Sequence, residues 1–415
     1  MMRITIIGIN YAPETTGIAP YTADLARGLV ARGHSVEMLT GLPHYPSWTV
    51  DRRYAGKREY MELDSGARIR RLRHYVPRRP RVLGRIRMEL SFARAVLLRR
   101  WQQNPDLVVT VSPSLITAVL VVLRARLARV PVGVVVQDIY SAGVHEIGGA
   151  PVAVSWLLAR METRSINLAA GAVVIHARFV DTLATIGVRR DRLTVIPNWT
   201  HVERHGVGRG RTDVREGFGW GENEIVVLHT GNMGMKQGLE NVVEAARIAD
   251  EKSLAIRFVL MGDGNQRDEL ERLGRRLDRL QFILPVPDDE YMSVLDAADV
   301  LLVNEHPGLT QMALPSKLTS YFSAGRPVLA ATEADSVTAA VLRESAAGEL
   351  IGPGDPEALL RAVFALAGNP ARRAELAEAG QIYASKMFDR EAALDRYESW
   401  CARLSDVPVR SAGRR

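Results

Sequence analysis

The sequence has a single cysteine, Cys401, in 415 residues. That excludes an intrachain disulfide and any thiolate-rich metal site, and it is compatible with a reducing cytoplasm. Aromatic residues are only 6% of the chain. So few stacking platforms argue against nucleic acid as a partner. No apolar run reaches the roughly 20 residues of a membrane-spanning helix. The nearest candidate, Leu107 to Leu123, is split by Ser112-Pro113-Ser114 into a strand and the start of a helix. The opening MMRITIIGINYAP turns polar too soon for a secretion signal, so a cytoplasmic protein is expected.

What is present in excess is positive charge, and it is unevenly placed. Residues 1–200 carry 28 Lys and Arg against 14 Asp and Glu, while the remainder carries 26 against 33. Much of the excess lies between Arg68 and Arg100, where Arg68, Arg70, Arg71, Arg78, Arg79, Arg81, Arg85, Arg87 and Arg94 alternate with apolar residues such as Leu83, Ile86 and Leu90. Such a mixture can lie on an anionic bilayer. It is also what a solvated helix face behind a basic loop looks like.

A chain of this length is comfortable for two domains. In the first half, short Val/Ile runs alternate with glycine or proline loops and helical patterns: Arg3–Gly8, Ser35–Thr40, Leu107–Val111, Gly133–Val136, Gly171–Ile175 and Leu193–Ile196. Runs of this kind, apolar on both faces, indicate a parallel sheet with helices on either side. The stretch 201–222 is rich in Gly, Arg and charge and reads as a linker, after which the cycle restarts with Ile225–Thr230, Ile256–Met261, Leu280–Leu284, Val300–Val303 and Pro327–Ala330. The expected domains are therefore 1–200 and 223–385, both doubly wound α/β sheets, followed by a helix within 386–405.

The most informative segment is Ala313-Leu314-Pro315-Ser316-Lys317, followed by Leu318 to Ala324, Gly325 and Pro327-Val328-Leu329. Pro315 suits a helix start, Gly325 a left-handed helix stop and Pro327 forbids continuation. Ser316 and Lys317 fall at the positive end of the helix dipole, where a phosphate fits. A second anion-binding pattern is His229-Thr230-Gly231-Asn232-Met233-Gly234-Met235-Lys236-Gln237-Gly238, in which glycines allow close backbone approach and Lys236 supplies charge. It is neither G-x-G-x-x-G nor a P-loop. In the first half, Gly17 opens the first helix, where a glycine allows close backbone approach by a ligand, and Glu14 lies in the same loop. Thr15 or Thr16 in that loop can also simply cap the helix. Asp138 follows the strand Gly133–Val136, where a carboxylate can accept a hydrogen bond or help a proton leave; His145 follows in the same loop and ranks below it. Asp288-Asp289-Glu290 is the only acidic cluster resembling a metal site, and it reads more readily as the first turn of a helix.

The "PSK…Y…AGRPV" and "GN-G-KQGLE" patterns resemble retaining glycosyltransferases of family four, and more narrowly the bacterial O-antigen, capsule and colanic-acid sugar transferases of the L-fucosamine transferase type. The likeness spans nearly the whole chain and is sharper in the second half. It implies the GT-B fold, two tandem Rossmann-like domains with a cleft, and a final helix that crosses back to the first domain. It also implies a nucleotide-diphosphate sugar donor, a UDP-sugar being expected, and a polyprenyl-diphosphate-linked saccharide acceptor. Location on the inner face of the plasma membrane and transfer of a hexose with retention follow in the same way. By resemblance, Gly17, Gly231, Asn232, Gly234, Gly262, Pro285, Pro315 and Ser316 bind the donor, and Lys236 and Lys317 with Asp138 serve catalysis. Glu14 and His145 face the acceptor. No metal and no cofactor are needed, because the two lysines and the helix N-terminus can stabilise the leaving diphosphate. The chain departs from the family where two glutamates eight residues apart are usual: Met312 and Ser320 stand there, and Ser320 is expected to contact the nucleotide weakly. Glu305 lies upstream in a strand-end loop and reads as a solvated carboxylate. Two rival readings are a GT-B sugar-nucleotide epimerase and a non-catalytic sugar-nucleotide-binding partner of another transferase.

Overall fold

The structure is a computed structural model that describes residues 1–406 except 15–16, 46, 55, 79–81, 102–103, 143–151, 201–208 and 311–314. Candidate residue His145 and the basic residues Arg79 and Arg81 therefore lie outside the described residues. The chain divides into two compact units, one formed by residues 1–198 with the C-terminal segment from Arg390, the other by residues 199–310 and 314–389.

The first unit is built on β1 (Arg3–Ile7), β2 (Ser35–Gly41), β3 (Glu59–Asp64), β4 (Ala67–Leu72), β5 (Leu107–Val111), β6 (Val132–Val136), β7 (Gly171–Val174) and β8 (Leu193–Val195). Their order is β3-β4-β2-β1-β5-β6-β7-β8, parallel throughout except for the antiparallel β3–β4 pair. Every residue of β5 and β6 is buried, as a parallel strand covered on both faces requires. The β3–β4 hairpin was not legible as strands. Ser65 and Gly66 form its two-residue turn with φ of 49° and 89°, the left-handed pair that matches strand twist. Arg70 pairs with Glu59 and Arg71 with Glu62, and Arg71 is 3% exposed. Arg68, Arg70 and Arg71, read in the sequence as part of a basic surface stretch, are thus strand residues, and two of them are neutralised by the partner strand.

The C-terminal helix Arg390–Ser405 belongs to the first unit and packs on β5, β6 and the helix Ala19–Ala31. Glycines make room for it: a Cβ on Gly133 would lie 2.3 Å from the Trp400 ring, and one on Gly28 2.6 Å from Leu394. Arg390 pairs with Asp24 at 2.8 Å, and Arg32 with Glu391 at 2.7 Å and Asp395 at 2.8 Å.

The second unit carries β9 (Ile225–Asn232), β10 (Ile256–Asp263), β11 (Leu280–Ile283), β12 (Val300–Asn304), β13 (Val328–Ala331) and β14 (Gly348–Ile351), all parallel, in the order β11-β10-β9-β12-β13-β14. Alternate residues feed two cores. Leu228, Leu301 and Val303 enter one, while Val227, Val300 and Leu302 enter the other, so helices cover both faces. Edge strand β14, half-buried throughout and carrying Glu349, has too weak an apolar pattern to announce itself. Within the stretch read as a linker, Arg211–Phe218 is a helix of the second unit. Arg215 holds it by donating to the carbonyls of Gly221, Glu224 and Ala297. Asp288, Asp289 and Glu290 form the first turn of the helix Asp288–Ala297. Among the described residues no helix is long and apolar enough to cross a membrane.

Candidate active site

Strand order places β9 beside both β10 and β12, so the chain reverses direction of winding there. Such a switch point leaves a crevice beyond the carboxyl ends of the strands. The loops after β9 and β12 meet at that place. Asn304 ends β12 and donates to the carbonyls of Gln237 at 2.8 Å and Gly238 at 2.9 Å; His306 N donates to the Lys236 carbonyl at 2.8 Å. Gly234 N donates to Gln237 Oε1 at 3.0 Å. The loop carrying Asn232, Gly234 and Lys236 is therefore fixed by its backbone, and the Lys236 side chain makes no ion pair among the described residues.

Gly231 has a φ of 103° and Gly262 of 151°, and a Cβ on Gly262 would fall 1.8 Å from the Gly231 carbonyl oxygen. The two backbones touch because neither position carries a side chain. Arg267 ties the same region to the loop of Pro285 by donating to the Gly262 and Ile283 carbonyls.

The helix Lys317–Ala324 faces this loop system. Ser316 is its N-cap, with Pro315 one residue earlier, and Gly325 ends it in the left-handed conformation at φ 63°. Leu318, Tyr321 and Phe322 anchor the helix in the core. Lys317 Nζ lies 2.9 Å from Nε2 of His229, which is fully buried in β9. Burial pushes the Lys317 ammonium down to about 7, with the Glu305 charge acting the other way. Burial, then the Lys317 charge, holds His229 well below its usual range. A neutral imidazole can accept the lysine's hydrogen bond. A Cβ on Gly231 would reach 4.0 Å from Lys317 Cε, so the lysine runs along a backbone kept bare by glycine.

Glu305 is no free loop carboxylate. It accepts from Thr332 Oγ1 and, at 2.7 Å, from Thr338 Oγ1. Ser320, expected to meet the nucleotide, is 3% exposed and donates to the Lys317 carbonyl at 3.0 Å. It stands behind a chain of hydroxyls: Tyr291 OH is 3.4 Å from Ser320 Oγ and 2.8 Å from Thr230 Oγ1, and Thr230 N donates to Tyr321 OH at 2.9 Å.

In the first unit, Glu14 is 6% exposed and fully engaged. Its Oε1 accepts from His44 N and Tyr45 N, both at 2.8 Å, and its Oε2 from Asn10 Nδ2 at 2.8 Å. The carboxylate joins the loops after β1 and β2. Gly17, at φ 67°, lies against Tyr45. Asp138 is half-buried after β6 and makes no hydrogen bond among the described residues. Its loop is held from below: buried Glu162 accepts from Tyr140 N at 2.7 Å and Ser141 Oγ at 2.6 Å, and Glu89 accepts from Tyr140 OH at 2.7 Å. Burial raises both carboxyl groups above their ordinary range.

Residues 16–199 match the family described as glycosyl transferase 4-like domain, and residues 210–382 match glycosyl transferases group 1. A relative in Escherichia coli (strain K12), WcaI, named for colanic acid biosynthesis as a glycosyl transferase, is 31% identical over 347 residues, covering 80% of this chain and 84% of its own length. The chain belongs to the group 1 glycosyltransferases. Solved structures agree on the fold. Sucrose-phosphate synthase from Thermosynechococcus elongatus superposes with a TM-score of 0.75 at 17% identity, covering 97% of this chain and 99% of its own. Anabaena HepE in complex with UDP and glucose superposes at 0.70 and 18% identity, covering 98% and 100%. The fold is GT-B.

For this glycosyltransferase, the sequence pattern located Gly231, Asn232, Gly234, Lys236, Gly262, Pro315, Ser316 and Lys317, and the structure brings them together at the carboxyl ends of β9, β10 and β12. His229 was visible in the motif but carried no role. Its position directly before Thr230-Gly231, a lone titratable side chain closing the apolar run Ile225–Leu228, is the available signal.

Proposed function

We propose that the chain transfers a sugar, with retention, from a nucleotide-diphosphate donor to a polyprenyl-diphosphate-linked saccharide in surface polysaccharide synthesis. The observation that carries the reading is Lys317, set at a helix N-terminus against a glycine-bared strand end and hydrogen-bonded at 2.9 Å to His229. An ammonium short of water gains most from an anion. As the bond from the anomeric carbon to the diphosphate breaks, the electron pair goes to the diphosphate oxygen, whose charge Lys317, Lys236 and the helix N-terminus stabilise. The acceptor oxygen bonds to the anomeric carbon, and Asp138 assists departure of its proton. Glu14 acts by holding the loop of Gly17 and Tyr45 in place, and the backbones of Gly231, Asn232, Gly234 and Gly262, with Pro285, Pro315 and Ser316, seat the donor. Ser320 supports the same seat from behind through Tyr291 and Thr230. His145 belongs to the acceptor side of the same reading.

A UDP-sugar donor is supported by the HepE complex with UDP and glucose, and the polysaccharide role by the naming of WcaI. Attachment to the inner face of the plasma membrane is supported by the helix Val82–Leu97, which exposes Val82, Leu83, Ile86 and Leu90 beside Arg87 and Arg94. The test is incubation with UDP-, GDP- and dTDP-sugars plus short polyprenyl-diphosphate saccharides, read by mass spectrometry. Lys317→Ala should lower kcat by roughly 10²–10³, the usual effect of removing a preorganised electrostatic contact. Absence of transfer from every donor, or full activity in Lys317→Ala, would refute the assignment.

A further inference from the structure

Arg85 is out of place for a surface arginine. On the helix Val82–Leu97, Glu89, Phe92 and Val96 form the inward stripe, with exposures of 5%, 0% and 0%. Arg85 continues that stripe by one turn toward the N-terminus, past the core and toward the loops that follow the strands. It is exposed and makes neither an ion pair nor a hydrogen bond among the described residues. Most arginines packed on the first unit's strands are satisfied: Arg27 by Asp64, Arg70 by Glu59, Arg71 by Glu62.

What fixes Arg85 is an indole. Its guanidinium sits 5.4 Å from the ring centroid of Trp48. Trp48 has a φ of 55°, a conformation that bulky residues rarely adopt. Its ring is braced edge-on by His44 and Tyr45, each with centroids 5.9 Å away. The backbone amides of those two residues are the ones that Glu14 holds. Strain of this sort persists only where the surroundings over-determine it, and it clusters at ligand clamps. Arg85, Asp138 and Glu14 all act electrostatically on the Tyr45 phenol, and Arg85 also acts on the buried Glu89 carboxyl one turn along its own helix, yet among the described residues Arg85 makes an ion pair with none of them.

We infer that Arg85 binds the phosphate of the acceptor and that Trp48 is the positioning residue that aims it. This rests on the lipid-diphosphate acceptor proposed above, and it names which side chain meets the anionic part of that acceptor. A guanidinium matches phosphate geometry with two parallel N–H donors, and stacking on indole leaves those donors free at its edge. The saccharide then extends from Arg85 toward Asp138.

The test is calorimetric titration of the full chain with geranyl diphosphate, with geraniol as the phosphate-free control. Arg85→Gln should weaken geranyl diphosphate binding by roughly tenfold or more, as expected for loss of a charge-assisted contact. Arg85→Lys should recover part of it. Trp48→Gly, which relieves the backbone and frees the guanidinium, should show an intermediate loss. Geraniol binding should not respond to either position. Lys317→Ala should leave geranyl diphosphate binding intact; a loss confined to that variant would place the probe at the donor seat and overturn the inference. So would equal binding by Arg85→Gln and the parent, or no binding by the parent. In steady state, Arg85→Gln should raise KM for the lipid acceptor with donor KM unchanged. Transfer that proceeds with an unaltered acceptor KM refutes the role of Arg85 alone. Absence of any transfer, with Arg85-dependent geranyl diphosphate binding, refutes the transferase reading and leaves this site standing.

Discussion

Lys317 links structure to pH. Without ligand its ammonium titrates at about 7, below the lysine value of 10.5 because burial disfavours the charged form. A bound diphosphate favours that form and raises the value again. Above pH 7 donor binding must therefore take up a proton, and below pH 7 it need not. Donor KM should be flat from about pH 6 to 7 and should then rise by up to about tenfold per unit toward about pH 9. Lys317→Gln should bind donor weakly and without that slope. A parent enzyme whose donor KM stays level across that alkaline range would contradict a Lys317 ammonium depressed by burial. Gly231 is coupled to the same lysine. At φ 103° an alanine is strained by about 1–2 kcal/mol, and its methyl group would enter the space along Lys317, so Gly231→Ala should raise donor KM as well as lower stability in a urea titration.

Two helices show how one element serves two ends. On Val82–Leu97 the buried stripe ends in Arg85, while the opposite side exposes Leu83 at 82%, Ile86 at 42% and Leu90 at 51%. An exposed apolar ridge flanked by arginines suits the interface of an anionic bilayer. Co-sedimentation with vesicles containing acidic phospholipid should fall when Leu83, Ile86 and Leu90 are replaced by Ser. It should also fall at about 1 M salt, where the screening length is about 3 Å. Binding that ignores both changes would make this ridge merely solvated. The second helix, Arg390–Ser405, is tied to the first unit by Trp400 against Gly133. Trp400→Ala should destabilise that unit by about 3–5 kcal/mol, read as an earlier unfolding transition for it in urea, with the transition of the second unit unmoved.

At the level of the whole molecule, the first unit is assembled from both ends of the chain. Residues 1–198 need the helix beginning at Arg390, whose Trp400, Leu404 and Leu394 cover Gly133, Gly171 and Gly28. Ending the chain at Asp389 uncovers that apolar surface together with Arg32 and His34, which pair with Glu391, Asp395 and Glu398. The truncated protein should aggregate on expression, and a soluble, cooperatively folded product would show the helix to be dispensable.

Sequence by itself determined the architecture: Val/Ile-rich runs such as Leu107–Val111 declared strands buried on both faces, and Pro315, Gly325 and Pro327 set the limits of the helix that carries Lys317. These are signals between neighbours a few residues apart, governed by local sterics and periodicity. The β3–β4 hairpin escaped because half of its strand residues are charged and its turn, Ser65-Gly66, is brief. Tertiary structure decided the chemistry of the sites. Lys317 meets His229 across 88 positions of sequence, Glu14 meets Tyr45 across 31, and the Arg85 guanidinium comes to rest over the Trp48 ring. Charge state, satisfaction and strain depend on which groups the packed sheet brings within a few ångströms, and no local pattern records that.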